Sequence, residues 1–334
     1  MGKLIRIGTR ESQLAVWQAS SVQQLLAKNN YRSELVFIKS AGDIDLQTPL
    51  YEMGVQGIFT KSLDIALLTN KIDVAVHSMK DVPTQMAKGI IQAAVLERAS
   101  YKDILVYKGD RDFVNSQLSI PALPERRSDW VNNKTTNTET PFITHLSPFT
   151  IATSSVRRKA QWLNRYPNHI IENLRGNINT RLRKLQEHNW NGAIFAAAGL
   201  ERINLRPENS IDLDWMLPAP AQGAIVVVCR EGDDFSLTAC GHFNDKETSI
   251  CTKIERDFLR TLLGGCSTPI SALAKVKEGK LFFRGNILSV DGKDKVEIEK
   301  TIELEDAASL GIDAAAEILN KGADTIADAI RNAK

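Results

Sequence analysis

The sequence predicts an α/β protein: two α/β domains around a cleft, followed by a small C-terminal α+β domain. Over the first two thirds of the chain, short apolar runs alternate with amphipathic ones, and this alternation restarts after Ser147. Beyond residue 270 the strand-like runs instead cluster together. The chain has 334 residues, which exceeds the size at which one hydrophobic core usually stops growing.

The first block begins with a strand over 3–9 and a helix over 12–28, in which Ala15, Ala19 and Val22 recur at the helical period. The following elements are a strand over 34–39, a polar loop from Ser40 to Gly57, a helix from about 60 to 70 and a strand over 73–77. The last of these strands is short and continuously apolar, as buried parallel strands are.

The second block repeats this pattern. It predicts strands over 149–153, 169–174 and 192–197, each followed by a helix, at 155–165, at 178–188 and near 200. The apolar run 223–229 reads as one more buried strand. Because strands that alternate with helices form parallel sheets, we expect two parallel sheets, with the chain crossing between them near 100 and again near 220.

The remaining sequence differs from both blocks. A helix over 247–262 carries Ile254 and Phe258 on one face and stops at Gly264-Gly265. The segments that follow are strands over 270–276, 281–288 and 295–303 and a helix over 306–332. The stretch 115–148 is rich in Asn, Thr, Ser and Pro and is interpreted as a surface insertion.

Composition limits the classes of function. The chain has 42 Lys and Arg against 40 Asp and Glu, a net charge of +2, so it lacks the basic excess of a nucleic-acid-binding protein. We expect no nucleic-acid partner and no membrane partner, since no apolar run is long enough to span a bilayer. The first residues do not form a secretory signal, which predicts a cytoplasmic protein.

Residues suited to anion binding follow the predicted strands. They are Arg10 and Ser12, Ser78 and Lys80, Ser155, Arg157 and Arg158, and Arg175, Gly176, Asn177 and Arg181. Ligands bind beyond the carboxyl ends of the strands in open α/β sheets, and helix starts and arginines favour anions. Together these positions predict a cleft for a ligand with several carboxylates or phosphates.

Two further residues leave alternatives open. Asp81 is either a turn residue paired with Lys80 or a carboxylate that faces a cationic reacting group. Cys266 is either a small packing residue or a nucleophile presented by the loop after Gly264-Gly265. A two-lobed anion-binding module is the main alternative to an enzyme, but it gives Cys266 no role.

An ordered set of motifs resembles the porphobilinogen deaminase family. The motifs are Thr-Arg-x-Ser (9–12), His-Ser-Met-Lys-Asp-Val-Pro (77–83), Ser-Ser-x-Arg-Arg (154–158), Leu-Arg-Gly-Asn-x-x-Thr-Arg-Leu (174–182), Ala-Gly-Leu-x-Arg (198–202), Gln-Gly-Ala (222–224) and Gly-Gly-Cys (264–266). The set spans nearly the whole chain except the insertion.

The resemblance implies a transferase that condenses four porphobilinogen molecules into a linear tetrapyrrole. It implies two domains like type II periplasmic binding proteins, the first over 1–100 and 222–242 and the second over 101–221, and a third over 243–334. One dipyrromethane cofactor per chain is attached to Cys266, and a monomer is expected.

The resemblance also assigns roles to residues. Asp81 is the catalytic carboxylate. The cofactor-binding residues it implies are Lys80, Ser78, Thr153, Ser155, Arg157, Arg158, Gly176, Asn177 and Gln222. The substrate-binding residues it implies are Arg10, Ser12, Arg175, Arg181, Arg202 and Lys61. The active-site loop departs from the family pattern, with Gln47 and Gln56 at positions that often carry Asp and Lys.

Overall fold

A computed structural model describes residues 3–39, 60–119, 149–262 and 268–332. Several sequence predictions therefore lie outside the described residues. They are the loop with Gln47 and Gln56, the insertion from 120 to 148, the helix stop at Gly264-Gly265 and Cys266.

The first sheet combines segments that are far apart in the chain. Its strands are β1 (Ile5–Thr9), β2 (Ser33–Phe37), β3 (Val74–Ser78), β4 (Ile90–Val95) and β10 (Ile225–Arg230), in the order β2-β1-β3-β10-β4. Helices α1 (Gln13–Lys28) and α7 (Asp234–Gly241) pack on one face, and α2 (Lys61–Leu68) packs on the other. Both faces are covered, which explains why β3 is buried along nearly its whole length.

The second sheet has the same arrangement. Its strands are β5 (Asp103–Tyr107), β6 (Thr150–Ala152), β7 (Ile170–Glu172), β8 (Gly192–Ala196) and β9 (Ser210–Asp212), in the order β7-β6-β8-β5-β9. Its helices are α3 (Arg111–Leu118), α4 (Val156–Arg165), α5 (Ile178–Glu187) and α6 (Ala197–Glu201). Trp162 of α4 is fully buried on one face and Leu185 of α5 on the other.

The third sheet is antiparallel throughout, in the order β11 (Ile270–Lys277), β12 (Lys280–Leu288), β13 (Lys295–Glu303). Helices α8 (Lys246–Leu262), α9 (Leu310–Ile318) and α10 (Asp324–Asn332) share its core. Phe258 of α8 lies so close to Gly285 that a Cβ there would come within 2.7 Å of the ring. The glycine therefore allows helix and sheet to approach closely.

The predicted parallel sheets are only partly parallel. β1 pairs in parallel with β2 and β3, and β6 with β7 and β8, whereas β10 and β5 run antiparallel to their neighbours. Each of these two strands begins where the chain has just crossed from the other sheet. It therefore enters its sheet from the end at which the parallel strands finish.

Other differences concern elements that the pattern did not predict. Strands β4, β5 and β9 and helices α3 and α7 fall in segments for which the sequence pattern predicts no element. The single helix predicted over 306–332 is interrupted between α9 and α10, because Gly322 has φ +97° and cannot continue a right-handed helix.

The two crossing segments lie side by side and are tied to the third sheet by Glu255 of α8. The fully buried Glu255 carboxylate accepts hydrogen bonds from Arg98 NH1 and NH2, at 2.6 and 3.0 Å, and from the backbone N–H groups of Ala221 and Ala274, at 2.6 and 2.7 Å. Arg98 also donates from Nε to the carbonyl oxygen of Gln222, at 2.8 Å. One carboxylate thus holds both crossings and strand β11.

Replacing Glu255 by Gln should destabilise the protein strongly, because Arg98 would keep a charge that is mostly shielded from water and has no counter-ion. We expect a loss of about 3–5 kcal/mol in the free energy of unfolding, measured by urea denaturation. The matched control is Glu299→Gln, which breaks the exposed pair with Arg284 and should cost no more than about 1 kcal/mol. Equal losses in the two variants would contradict the role given to Glu255.

Candidate functional site

The predicted anion-binding residues lie at strand ends and helix starts of the first two sheets. Ser78 is the last residue of β3, and Thr153 directly follows β6. Ser12, Ser155 and Asn177 are the N-caps of α1, α4 and α5. In each case a strand is followed by a residue with a hydroxyl or amide side chain and then by a helix. This order produces the N-capped helix start that the sequence predicted.

The capping side chains already have backbone partners. The Ser12 and Ser155 hydroxyls each accept from a backbone N–H in the first turn of their helix, at 3.4 Å, and Asn177 Oδ1 accepts from Thr180 N–H at 2.9 Å. Thr153 Oγ1 accepts from the Ser155 N–H at 3.2 Å. These bonds satisfy one N–H group at each helix start and leave the remaining first-turn N–H groups to a ligand or water.

Lys80 and Asp81 lie on a single 3₁₀ turn, Met79–Asp81, at the end of β3. The half-buried Lys80 ammonium donates to Gln222 Oε1 at 3.1 Å. Asp81 is exposed, and within the described part of the chain no hydrogen bond or ion pair engages its carboxylate. The turn therefore presents an anchored cation and an unpaired carboxylate next to each other.

Asp103, which the sequence analysis did not single out, lies at the centre of the basic residues. Its carboxylate is fully buried and accepts from Arg157 NH2 on Oδ2 at 2.7 Å, and from Arg158 NH2 and Nε on Oδ1 at 2.7 and 3.1 Å. Gln222 Nε2 also donates to Oδ1 at 2.9 Å. The two guanidinium groups hold the pKa of Asp103 well below its usual range despite its burial.

Arg157 and Arg158 are buried, with 5% of each residue exposed, and backbone carbonyls receive the other end of each guanidinium. Arg157 NH1 donates to Leu217 O at 2.6 Å, and Arg158 NH1 donates to Ile194 O at 3.0 Å. Arg157 Nε is buried and, among the described residues, has no acceptor. A carboxylate reaching this cluster would thus meet a donor that is already desolvated.

The electrostatics show that the two sheets face each other at this point. Burial, together with the charges of Arg158 and Arg157, lowers the pKa of Lys80 to about 8, although Asp81 and Asp103 act in the opposite direction. Burial and the charge of Arg158 also lower the pKa of Arg181 to about 10, again against the effect of Asp81. Lys80 and Asp81 of the first sheet therefore share one electrostatic environment with Arg158 and Arg181 of the second.

The other predicted residues lie around this cluster. Arg175 is buried next to Gly176, whose carbonyl oxygen accepts from Arg181 Nε at 2.7 Å. Gly176 has φ +114°, which suits glycine. Arg202 donates to the carbonyl oxygen of Gly223 at 2.7 Å and lies 5.7 Å from the ring centroid of Trp17, so it contacts a crossing segment rather than the Asp103 cluster.

Two predicted residues of the first sheet lie further along its edge. Arg10 follows β1, and its charge acts with burial to lower the pKa of His77 to about 4. Lys61 is exposed and begins helix α2. The contacts of the described residues do not connect Lys61 to the Asp103 cluster.

The turn that carries Lys80 and Asp81 is held by a residue that sequence analysis missed. Arg256 of α8 donates from NH1 to the carbonyl oxygens of Met79 and Val82, at 3.3 and 2.9 Å, and from NH2 to that of Pro83, at 2.6 Å. The sequence offers one signal for it: Glu255-Arg256 places two charges beside the apolar face of a predicted helix. The same helix thus fixes the crossings through Glu255 and the turn through Arg256.

This arrangement suits binding and reaction of an anionic ligand. Arg157 and Arg158 pair with a single buried anion, Asp103, and Lys80 donates to the neutral amide of Gln222, so the three cations exceed this one buried counter-ion by two charges. An exposed carboxylate beside them can stabilise a cation that forms on the ligand. In the described residues, no group of three or more His, Cys, Asp or Glu could hold a metal ion, and none of the helices is long and apolar enough to cross a membrane.

Comparison with known proteins gives matches along nearly the whole chain. Residues 5–238 match the profile described as "Porphobilinogen deaminase, dipyromethane cofactor binding domain", and residues 249–320 match "Porphobilinogen deaminase, C-terminal domain". The porphobilinogen deaminase of Syntrophotalea carbinolica is 37% identical over 98% of this chain and 96% of its own length. The chloroplastic porphobilinogen deaminase of Pisum sativum is 38% identical over 95% of this chain and 82% of its own length.

Solved structures similar to this fold are binding proteins. The methionine-binding protein MetQ matches with a TM-score of 0.40 at 14% identity, covering 74% of this chain and 92% of its own. A putative ABC-transporter binding component from Wolinella succinogenes matches with a TM-score of 0.36 at 13% identity, covering 73% of this chain and 89% of its own.

The site predicts a pH dependence of anion binding. Because the pKa of Lys80 is lowered to about 8, its ammonium is charged below that pH and becomes neutral above it. Affinity for citrate, measured by titration calorimetry, should therefore fall by about tenfold or more as the pH rises through 8, since a charged hydrogen bond contributes about 1.5–3 kcal/mol. In Lys80→Arg the affinity should stay level, because arginine keeps its charge; the same fall in that variant would contradict the assignment to Lys80.

Proposed function

Because this chain belongs to the porphobilinogen deaminase family, we propose that the cleft between its first two sheets is the site of the family's reaction, with Asp81 as the catalytic carboxylate. The chain is a transferase that joins four porphobilinogen molecules into a linear tetrapyrrole on a covalently bound dipyrromethane, releasing ammonia. The observation that carries the site assignment is an unpaired carboxylate beside a buried cluster with excess positive charge.

The residues of the cluster fit the cofactor. A dipyrromethane carries several carboxylates, and the cluster offers an excess of two positive charges and the desolvated, unpaired Arg157 Nε. The residues that would hold it are Lys80, Ser78, Thr153, Ser155, Arg157, Arg158, Gly176, Asn177 and Gln222. When bound, the group supplies a tethered pyrrole carbon that acts as the nucleophile, which makes each coupling effectively intramolecular.

Asp81 acts on the incoming pyrrole. Loss of ammonia from porphobilinogen leaves a cationic methylene-pyrrole, and a carboxylate near the pyrrole N–H stabilises that cation. Asp81 is suited to this role because it is exposed and no hydrogen bond or ion pair of the described residues engages its carboxylate. The hydrogen bonds from Arg256 to the carbonyls around it fix the turn, so the carboxylate does not have to be positioned anew for each coupling.

The remaining basic residues serve the substrate side chains. We assign the acetate and propionate groups to Arg10, Ser12, Arg175, Arg181, Arg202 and Lys61. Arginine suits this role because its planar fork matches a carboxylate, and its charge persists when burial lowers the pKa, as it does to about 10 for Arg181 and Arg202. These positions allow a chain that gains carboxylates at each step to stay bound in a nearly neutral protein.

Cys266 is the proposed attachment site of the cofactor. The three cysteines in the described ranges are buried free thiols, and burial raises the pKa of Cys229 to about 11 and of Cys240 and Cys251 to about 12. Thiols that stay protonated are poor nucleophiles. Cys266 lies outside the described residues; its assignment rests on the Gly-Gly-Cys motif and on the unsuitability of the other three.

Three further proposals concern the protein as a whole. We assign residues 1–100 with 222–242 to the first domain, 101–221 to the second and 243–334 to the third, consistent with the three sheets. We also propose that the protein is a monomer and cytoplasmic. Buried thiols that are not paired in disulfides are consistent with a reducing compartment.

The covalent attachment is tested by the intact mass of the purified protein and of Cys266→Ser. We expect the wild-type chain to carry the added mass of two porphobilinogens less two ammonias, and the variant to lack it. Cys251→Ser is the matched control and should keep the added mass. A wild-type chain that stays unmodified after incubation with porphobilinogen would leave an anion-binding module as the better description.

Replacing Asp81 by Asn should separate catalysis from cofactor attachment. The amide cannot stabilise a developing cation as a carboxylate does, so we expect kcat to fall by about 10²–10⁴-fold while the cofactor mass is retained. Asp110→Asn, which changes an N-cap far from the cleft, should leave kcat unchanged. Normal turnover in Asp81→Asn would exclude Asp81 as the catalytic group.

A further inference from the structure

Asp103 has no role in the mechanism described above, although it is ion-paired with both buried arginines of the cluster. It is the first residue of β5, directly after the first crossing, and it is fully buried. Burying a carboxylate in a protein interior is costly unless it is well paired. Its position among residues that bind carboxylates therefore requires an explanation other than contact with an anionic ligand, which it would repel.

The contacts of Asp103 determine how the two arginines are oriented. Arg158 approaches Oδ1 with Nε and NH2, and Arg157 approaches Oδ2 with NH2. Backbone carbonyls receive both NH1 groups, so each planar guanidinium is held at two ends. Among the described residues, Arg157 Nε is the guanidinium donor of this pair that is buried without an acceptor.

Asp103 also reaches Lys80 on the opposite sheet. Gln222 donates from Nε2 to Asp103 Oδ1 at 2.9 Å and to the carbonyl oxygen of Tyr101 at 2.8 Å, and its Oε1 accepts from Lys80 Nζ at 3.1 Å. Because both ends of the amide are bonded, Gln222 has a single orientation. The carboxylate and the ammonium are thus linked through one buried side chain.

We propose that Asp103 is a positioning residue that orients Arg157 and Arg158 towards the ligand carboxylates and, through Gln222, holds the charged form of Lys80 in the same cluster. This proposal rests on the function proposed above. Its physical basis is that three cations gathered away from water repel one another and need a shared anion to remain charged and fixed in place.

Lys80 is the member of the cluster that would respond to loss of this anion. The charged groups that face it are Asp81 on its own turn and Asp103, Arg157 and Arg158 on the second sheet. Arginines keep their protons, whereas a buried lysine can release its proton near neutral pH. Removing the charge of Asp103 should therefore misalign the arginines and neutralise Lys80 at lower pH.

The test uses Asp103→Asn, with Asp73→Asn as a matched control. Asp73 is likewise buried and holds an arginine, accepting from Arg6 Nε and NH2, but it lies before β3 at the other end of the sheet. Full-length apoprotein of each variant is incubated with porphobilinogen at a series of pH values, and intact mass gives the fraction that has gained the cofactor.

We expect wild type and Asp73→Asn to lose loading above about pH 8, where Lys80 becomes neutral. Asp103→Asn should load about tenfold less at neutral pH, and the pH at which its loading declines should fall by roughly one unit. If Asp103→Asn matches Asp73→Asn in both measurements, Asp103 has only a structural role and the proposal is wrong.

Two additions keep the result interpretable. If Asp103→Asn does not fold, Gln222→Met removes the link to Lys80 and leaves the buried carboxylate in place. The pH at which cofactor loading declines should then fall as it does in Asp103→Asn, and an unshifted profile would overturn the proposal.

If wild type itself gains no mass, the proposed function fails. Asp103 is then judged by citrate affinity alone, which should fall about tenfold in Asp103→Asn and not in Asp73→Asn.

Discussion

The arrangement of the three sheets depends on the buried carboxylate of Glu255. It receives hydrogen bonds from Arg98 in one crossing segment, from Ala221 in the other and from Ala274 in the third sheet. Buried ion pairs are seldom the best way to gain stability, since apolar side chains of similar volume often stabilise a protein as much. Their directional bonds instead fix a geometry, and here that geometry is the meeting point of two crossings and a third sheet.

The same helix extends this constraint to the site. Glu255 and Arg256 are consecutive, and Arg256 bonds the carbonyls of the turn that carries Lys80 and Asp81. On the second sheet, Asp103 holds Arg157 and Arg158 and reaches Lys80 through Gln222. The positions of Asp81 and of the cluster cations thus trace back to buried ionic contacts made at the crossings and by helix α8.

The sequence predicted the fold where the periodicity was strong. The limits of helices α1, α4, α5 and α8 and of strands β1, β3, β6, β8 and β10 lie within one or two residues of the predicted ones. Strand β4 was missed because a short apolar run shows no period of its own. The direction of β5 and β10 was not predicted, because it depends on where the chain enters each sheet and periodicity does not encode that.

Prediction of the site was limited in the same way, because local sequence patterns do not show which distant segments come together. Motifs at strand ends identified Lys80, Asp81, Arg157 and Arg158, because a strand followed by a helix places those positions at one edge of a sheet. Asp103 precedes the apolar run Ile104–Tyr107 and looks like an ordinary strand start. Asp103 pairs with arginines more than fifty residues away in the chain. This pairing follows only from the antiparallel placement of β5 next to β8.

The two carboxylates of the cleft show how environment assigns function to identical groups. Asp103 is buried between guanidinium groups, and its low pKa means that it stays ionised and serves as a permanent counter-ion. Asp81 is exposed, and in the described part of the chain no cation is paired with it, so in the proposed function its charge is available to a cation that forms during the reaction. A single carboxylate could not do both, because the Asp103 carboxylate is fully buried and both of its oxygens already accept hydrogen bonds from the arginines and Gln222. If Asp103 and Asp81 have these two proposed roles, the cleft can be basic enough to hold a polyanionic chain and still stabilise a positive charge where each new bond is formed.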